Sequence, residues 1–248
     1  MSALPFVSSA MTHPGAVRPY NQDTFVNRPD LGLWAVADGA GGHQGGELAA
    51  GMLREALDEI PPLLSASELL AQVRLKVGAT HEALRALAQK ADQPVMGAST
   101  IVVLMVRNEH FACLWAGDSR TYLLRDGAFR QVTHDHSLVQ ELVDLGKLRP
   151  EDAVHHPRSN VITRAVGADV DALELDKISA RIQPGDRFLL CSDGLYKTLK
   201  ESEIASLLAE GHGVPPTQAM VAAALAMNAD DNVTAVAVEI AGEGAGGC

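Results

Sequence analysis

Residues 97–132 read GASTIVVLMVRNEHFACLWAGDSRTYLLRDGAFRQV, and this stretch decides the fold class. Its apolar runs are rich in β-branched and aromatic residues, which predicts a series of short strands. Asn108-Glu109 and Asp126-Gly127 stand between the runs at positions typical of tight turns. The stretch therefore predicts an antiparallel meander.

Helical patterns precede this stretch, and a mixture of strands and helices follows it. Apolar residues recur at three- and four-residue spacing over 48–60 and 69–87, and Pro61-Pro62 separates the two predicted helices. The second half adds further short strands and helices, predicted over 172–182, 186–191, 201–209, 216–227 and 232–240. Antiparallel strands with segregated helices indicate an α+β layered domain rather than a doubly wound parallel sheet.

A polar segment over residues 134–165, rich in His and Pro, interrupts these elements and has helical periodicity only around 138–145. Such a segment is expected on the surface beside the strand ends, so we interpret it as a flap. We expect a single domain over residues 1–241, since 248 residues with 47% hydrophobic composition can bury one sizeable core. Residues 242–248 are rich in glycine and predict a disordered tail.

The charge balance limits the partners. The chain has a net charge of −11, from 31 acidic and 20 basic residues, and no cluster of Lys and Arg interrupts this balance. Neither nucleic acid nor an anionic membrane is therefore expected as a partner. Three scattered cysteines are too few for a disulfide framework, and no window approaches the ~18 apolar residues of a membrane span. We expect a cytoplasmic, monomeric protein.

Four aspartates stand at the ends of apolar runs. Asp38 follows LGLWAVA, Asp118 follows FACLWAG, Asp193 follows FLLCS, and Asp231 precedes NVTAVAVEI. Carboxylates that converge at strand ends repel one another unless they are protonated or bridge a metal ion. Ligation by oxygen alone selects hard ions such as Mg²⁺ or Mn²⁺ over Zn²⁺. The pattern therefore predicts a carboxylate metal site.

Six short motifs around these aspartates occur in one order along the chain. They are Arg18 with Asn21-Gln22-Asp23, Asp38-Gly39-Ala40-Gly41-Gly42-His43, Gly97-Ala98-Ser99-Thr100, Gly117-Asp118-Ser119-Arg120, Ser192-Asp193-Gly194 and Asp231-Asn232-Val233-Thr234. Each motif alone is weak because Asp-Gly and Gly-Asp-Ser are common turn sequences, but six in order form a strong joint signal. Together they resemble the PPM-type, or type 2C, metal-dependent Ser/Thr protein phosphatases, in particular their bacterial branch, over residues 10–240.

The resemblance implies a four-layer α-β-β-α fold, in which a central β-sandwich of two antiparallel sheets is flanked by helices and the flap lies near the metal site. It implies one phosphatase catalytic domain with two Mn or Mg ions, which would activate a bridging water for in-line attack on phosphorus. By the same resemblance Asp38 bridges the ions and Gly39 ligates through its carbonyl. Asp193 and Asp231 are further ligands of one ion.

Three further roles follow from the resemblance. Arg18 matches the arginine that binds two phosphoryl oxygens of the substrate, so the predicted catalytic residues are Arg18, Asp38 and Asp193. Asp23 would hold a metal-bound water, and Asp118 matches the ligand of a third, weakly bound ion. Taken singly, Asp118 could instead be a turn aspartate and Arg18 an ordinary surface residue.

The implied activity is hydrolysis of phosphoserine and phosphothreonine in proteins, with a cognate Ser/Thr kinase as its opposite in bacterial signalling. Two alternatives stay open: a phosphoprotein-binding regulator with weak or no turnover, and a small-phosphoester hydrolase on the same fold. A carboxylate at every matched metal position argues against the first, and the shape of the flap would decide the second.

Two positions depart from the pattern of eukaryotic relatives. Gln22 replaces an acidic residue, so it can hydrogen-bond but adds no charge to the metal cluster. Ala40 stands where those relatives have a histidine thought to protonate the leaving alcohol, and His43 lies three residues further on. The general acid is therefore unassigned from the sequence.

Overall fold

A computed structural model describes residues 6–41, 44–90, 97–168, 172–209 and 213–241. The strands are β1 Phe6–His13, β2 Asp23–Arg28, β3 Leu33–Ala40, β4 Ala98–Ser99, β5 Ile101–Arg107, β6 His110–Ala116, β7 Arg120–Arg125, β8 Ala128–Gln131, β9 Asp176–Arg181, β10 Arg187–Cys191 and β11 Val233–Ile240. The helices are α1 Gly45–Asp58, α2 Ala66–Lys90, α3 Leu138–Asp144, α4 Pro150–Ala153, α5 Asp193–Tyr196, α6 Glu201–Ala209 and α7 Pro216–Ala226. A short 3₁₀ helix spans Pro29–Leu31.

The strands form two antiparallel sheets. One has the order β1-β11-β10-β7-β8, and the other has the order β2-β3-β5-β6-β9 with β4 paired to β3. Apolar side chains of both sheets fill the layer between them. The ring of Phe111 on β6 meets that of Phe188 on β10 edge-on, with centroids 4.9 Å apart, and Trp34 on β3 is fully buried in the same layer. The predicted sandwich is confirmed.

Helices cover both outer faces of the sandwich. Leu53 of α1 and Val73 of α2 are buried against the six-stranded sheet, in the periodic positions that predicted these helices. Ile204 of α6 and Met220 of α7 are buried against the five-stranded sheet. The four layers are therefore helix, sheet, sheet and helix, as expected from the resemblance.

The predicted meander over 97–132 is wrong in one respect. Two hairpins form at the predicted turns, where Asn108 and Asp126 have φ values of 53° and 51°. However, the β5–β6 hairpin belongs to one sheet and the β7–β8 hairpin to the other. Apolar runs predict strands but not their partners, because both faces of a strand in a layered fold can be buried. The crossing at Gly117-Asp118 takes the chain from one sheet to the other.

The flap, residues 134–165, lies near the Gly117-Asp118 crossing between the sheets. It contains α3 and α4, and a bridge between Ser137 and Ile162 closes it into a loop. The strand predicted over 172–182 begins only at Asp176. His43 and the predicted tail over 242–248 lie outside the described residues. Within the part of the chain that the structure describes, no helix is both long and apolar enough to cross a membrane.

Candidate metal centre and active site

The predicted site residues meet at one end of the sandwich. Asp23 and Asp38 lie opposite each other in the register of β2 and β3. Asp193 follows β10 and Asp231 precedes β11, and these strands pair in the other sheet, while Asp118 lies at the crossing between the sheets. A cavity of about 240 Å³ opens here, lined by Arg18, Gln22, Asp38, Gly39, Ala40, Gly41, Thr100, Asp118, Asn160, Ile162, Asp193, Asp231 and Asn232.

The backbone of Asp38 is fixed by neighbouring strands. Its carbonyl oxygen accepts hydrogen bonds from Thr100 N at 2.8 Å and from Ser99 Oγ at 3.0 Å. Its amide donates to Thr100 Oγ1 at 3.2 Å, and that hydroxyl lies 2.7 Å from Ser119 Oγ beyond the crossing. These bonds hold β3, β4 and the crossing in one rigid unit, so the Asp38 carboxylate starts from a fixed position.

The glycine after Asp38 is required by a close backbone approach. A Cβ at Gly39 would lie 2.3 Å from Gly46 O at the start of α1 and 2.7 Å from Gln22 O. No side chain fits at this contact, whether or not the Gly39 carbonyl ligates an ion. Gly41 follows with φ at +127°, a backbone conformation that favours glycine. The loop therefore brings its backbone, rather than side chains, to the cavity wall.

Hydrogen bonds tie Asp23 to the opposite sheet. Ser192 Oγ donates to Asp23 Oδ2 at 2.7 Å and accepts from Thr234 N at 3.0 Å. Thr234 Oγ1 lies 2.6 Å from Thr12 Oγ1 on the neighbouring strand. Ser192 thus orients the Asp23 carboxylate, which is buried behind the cavity rather than in its lining. This position suits the predicted role of Asp23 as a residue that positions water instead of ligating an ion directly.

Asn232 holds the loop that carries Arg18. Its Nδ2 atom donates to the carbonyl oxygens of Pro14 and Tyr20, each at 2.9 Å, and its Oδ1 atom accepts from Gln22 N at 2.8 Å. The asparagine after Asp231 therefore fastens the loop over residues 14–22 beside the carboxylates. Asn232 was part of a predicted motif, but its role becomes apparent only from these contacts.

Several carboxylates at this end of the sandwich have raised pKa values. Burial raises the pKa of Asp23 to about 7, although a hydrogen bond from Ser192 opposes the shift. Burial and repulsion from Asp23 raise the pKa of Asp38 well above its ordinary value. Burial and the charge of Asp193 raise the pKa of Asp118 to about 7. The cluster therefore holds more negative charge than its surroundings neutralise.

Two basic side chains lie against the cluster. Arg18 Nη2 donates to Asp231 Oδ2 at 3.0 Å, yet burial and Asp193 still raise the pKa of Asp231. Lys197 Nζ donates to Asp193 Oδ2 at 2.6 Å and lies 4.0 Å from Asp118 Oδ2. Burial opposes the charge of Lys197, but Asp193 and Asp118 raise its pKa. Lys197 was not predicted from the sequence, although its position four residues after Asp193 is a usable signal.

The donor set fits a hard divalent cation better than zinc. Every candidate ligand is a carboxylate or carbonyl oxygen, the donors preferred by Mg²⁺ and Mn²⁺. Gln22 Nε2 is, among the described residues, a buried side-chain nitrogen without a hydrogen-bond partner, and Gln22 lines the cavity. Among the described residues, no group of three His, Cys, Asp or Glu side chains is arranged to hold an ion. Instead, Lys197 contacts Asp193 and Arg18 contacts Asp231. One oxygen each of Asp193 and Asp231 is therefore already in contact with a basic side chain.

Known proteins are similar to this chain in sequence and in fold. Residues 18–229 match the family model described as Protein phosphatase 2C. The Serine/threonine phosphatase stp of Listeria welshimeri is 33% identical over 237 residues, which cover 92% of this chain and 93% of that protein. The chain therefore belongs to the protein phosphatase 2C family.

Solved structures agree with this assignment. PppA, described as a key regulatory component of T6SS in Pseudomonas aeruginosa, is 39% identical with a TM-score of 0.86, covering 94% of this chain and 97% of that chain. The catalytic domain of the serine threonine protein phosphatase PstP, solved with 2 manganese ions, is 31% identical with a TM-score of 0.81, covering 95% of this chain and 98% of that chain. The predicted fold and enzyme class, a serine/threonine protein phosphatase, are confirmed, and metal-dependent catalysis is supported.

Proposed function

We propose that this phosphatase hydrolyses phosphoserine and phosphothreonine in proteins with two Mn²⁺ or Mg²⁺ ions held by Asp38, Gly39, Asp193 and Asp231. The observation that carries the proposal is the meeting of sequence-distant carboxylates in one cavity, where burial and repulsion raise the pKa values of Asp38, Asp118 and Asp231. Such a cluster is stable in its charged form only with cations. When bound, the two ions would lower the pKa of a water and neutralise charge on the phosphoryl group.

Arg18 has the substrate-binding role in this proposal. Its side chain is 54% exposed at the mouth of the cavity, and only its Nη2 atom contacts Asp231. A guanidinium in this position can turn its planar fork toward two phosphoryl oxygens, which a lysine ammonium cannot match. Arg18 would therefore orient the phosphate and neutralise charge as the reaction proceeds.

Asp23 and Gln22 would order water behind the reacting phosphate. The Asp23 carboxylate is oriented by Ser192 Oγ, and Gln22, a residue of the cavity lining, has a buried Nε2 donor without a hydrogen-bond partner among the described residues. The described cavity lining contains no histidine, and its position 40 is alanine. We therefore assign protonation of the leaving alkoxide to a water or a group of the substrate rather than to a histidine of the described lining.

The flap sets the shape of the substrate site. Asn160 and Ile162 of the flap line the cavity, so a phosphorylated side chain must pass between the flap and Arg18. A phosphoprotein would rest on the flap, and a cognate Ser/Thr kinase would supply it. The net charge of −11 and the three scattered cysteines support a monomer working in the cytoplasm.

A comparison of substrates tests the proposal. The purified protein with Mn²⁺ is given a phosphothreonine peptide, a nucleoside monophosphate and a chromogenic phosphate ester, each with and without EDTA. We expect EDTA-sensitive hydrolysis of the peptide, lost in Asp193→Asn and retained in Asp230→Asn, which removes an exposed aspartate close in sequence. Equal rates with and without EDTA would contradict the metal mechanism, and turnover of the nucleotide but not the peptide would contradict the protein substrate.

A further inference from the structure

Lys197 lies beside the cavity, in contact with the lining residues Asp193 and Asn160, and has no role assigned so far. It lies one turn after Asp193, since Lys197 N donates to Asp193 O at 2.9 Å, and its side chain reaches back along that turn. Nζ lies 2.6 Å from Asp193 Oδ2 and 4.0 Å from Asp118 Oδ2. The ammonium is therefore placed between a carboxylate that follows β10 and one at the crossing between the sheets.

Lys197 also contacts the flap. Its Nζ atom donates to Asn160 Oδ1 at 2.7 Å, and Asn160 lines the cavity. The side chain of Lys197 is 24% exposed, so water reaches this contact only in part. One ammonium thus connects the flap to the carboxylate cluster.

The chemistry of an ammonium suits this position. It is a compact positive charge with three donors, and here it faces two acidic side chains and one amide oxygen. A carboxylate has two oxygens, so Asp193 can accept from Lys197 and ligate an ion as well. The sequence resemblance would put a third ion on Asp118, and Lys197 Nζ lies 4.0 Å from the carboxylate of that residue.

We propose that Lys197 is a tethered cation that takes the place of a third metal ion between Asp118 and Asp193 and ties the flap to them through Asn160. This inference rests on the proposed function, because it takes the two-ion centre as given. It makes Lys197 a positioning residue. The chain then binds two ions rather than three, and the flap is held without a further metal ion.

Counting bound manganese tests the inference. Equilibrium dialysis and calorimetry are applied to the wild type, to Lys197→Met, and to Lys200→Met as a control at a nearby exposed lysine. We expect two ions in the wild type and control, and a third ion in Lys197→Met, bound at least tenfold more tightly than any third ion in the wild type. Adding Asp118→Asn to Lys197→Met should remove the third ion, and Lys197→Arg should behave as the wild type.

The outcomes separate this inference from the proposed function. Two ions in both the wild type and Lys197→Met, or three in the wild type, would overturn the role of Lys197 alone. No bound manganese in any variant would overturn the proposed function and the inference together. Should Lys197→Met not fold, Lys197→Gln serves the same comparison.

Hydrogen exchange of the flap gives a second readout. In the two-ion state, amides over residues 155–162 should exchange at least tenfold faster in Lys197→Met than in the wild type, and Lys200→Met should match the wild type. Equal exchange in all three proteins would overturn the link to the flap.

Discussion

Strand β10 has an aspartate beside each end, and their environments differ. Asp186 precedes the strand with a fully buried side chain, and the guanidinium of Arg125 donates to its two oxygens at 2.7 and 2.6 Å. The backbone amide of Gln183 donates a third hydrogen bond to the Asp186 carboxylate at 2.8 Å. At the other end of the strand, Asp193 belongs to a cluster in which the carboxylates outnumber the neighbouring basic side chains.

The difference separates a structural carboxylate from a functional one. A buried acid with a bidentate arginine is already neutralised, so it contributes to the fold and binds nothing further. Asp23 and Asp118 are buried and Asp38 is half-buried, and none of the three has a bidentate arginine among the described residues. Their raised pKa values indicate an electrostatic cost that a ligand can relieve. We therefore infer that the cluster is the functional site, and the Asp186–Arg125 pair at the other end of β10 serves as its internal control.

The largest effect should come from Asp38→Asn. We expect kcat to fall by about 1,000-fold, or roughly 4 kcal/mol, because an amide cannot bridge two cations. The stability of the metal-free protein should not fall, since the substitution removes a half-buried acid that its neighbours repel. Steady-state kinetics with Mn²⁺ and chemical unfolding in EDTA measure the two quantities. A metal-free protein strongly destabilised by this change would show that Asp38 is a structural carboxylate.

The matched change Asp186→Asn should lower stability and leave manganese binding unchanged. It leaves the Arg125 guanidinium without its carboxylate, so we expect the free energy of unfolding to fall by about 3 kcal/mol. Manganese affinity, measured by calorimetry on the folded fraction, should stay as in the wild type. Loss of manganese binding with unchanged stability would erase the distinction between the two ends of β10.

The pH dependence of stability should be a smaller effect, and the raised pKa values fix its direction. Asp23 and Asp118 have pKa values of about 7 when folded and an ordinary value of 3.8. The folded, metal-free protein therefore holds more protons between these values, and the contribution of both groups to its stability falls as pH rises toward 7. Manganese competes with those protons, so its stabilising effect should grow with pH. Thermal melts with manganese and with EDTA at pH 5.5 and pH 8 should show the larger manganese shift at pH 8; equal shifts would contradict the assignment.

The smallest effect should come from Arg18→Lys. The charge remains but the planar fork is lost, so we expect kcat/KM to fall about tenfold, or roughly 1.4 kcal/mol. Arg54→Lys, at an exposed position of α1, is the control and should leave kcat/KM unchanged. If the two variants have the same kcat/KM, then Arg18 is not the residue that binds phosphate.

Sequence patterns predicted a layered α+β domain and the convergence of acidic residues, but not how the strands connect from one sheet to the other. Asp38 and Asp193 were predicted together because each ends an apolar strand, and a strand end is a position that sequence can read. The passage from one sheet to the other at Asp118 was missed, since pairing depends on long-range packing rather than on local pattern. Asn160 carries no local signal at all, because its contact with Lys197 exists only once the flap has folded over the cavity.

The central claim is that the acidic end of the sandwich is a two-ion centre built around Asp38. Crystals grown with manganese chloride and measured at the manganese absorption edge test it directly. The account predicts two anomalous peaks in the cavity, both in contact with the Asp38 carboxylate, with no peak beside Asp186. Crystals that diffract well and show no anomalous peak beside Asp38 would contradict it.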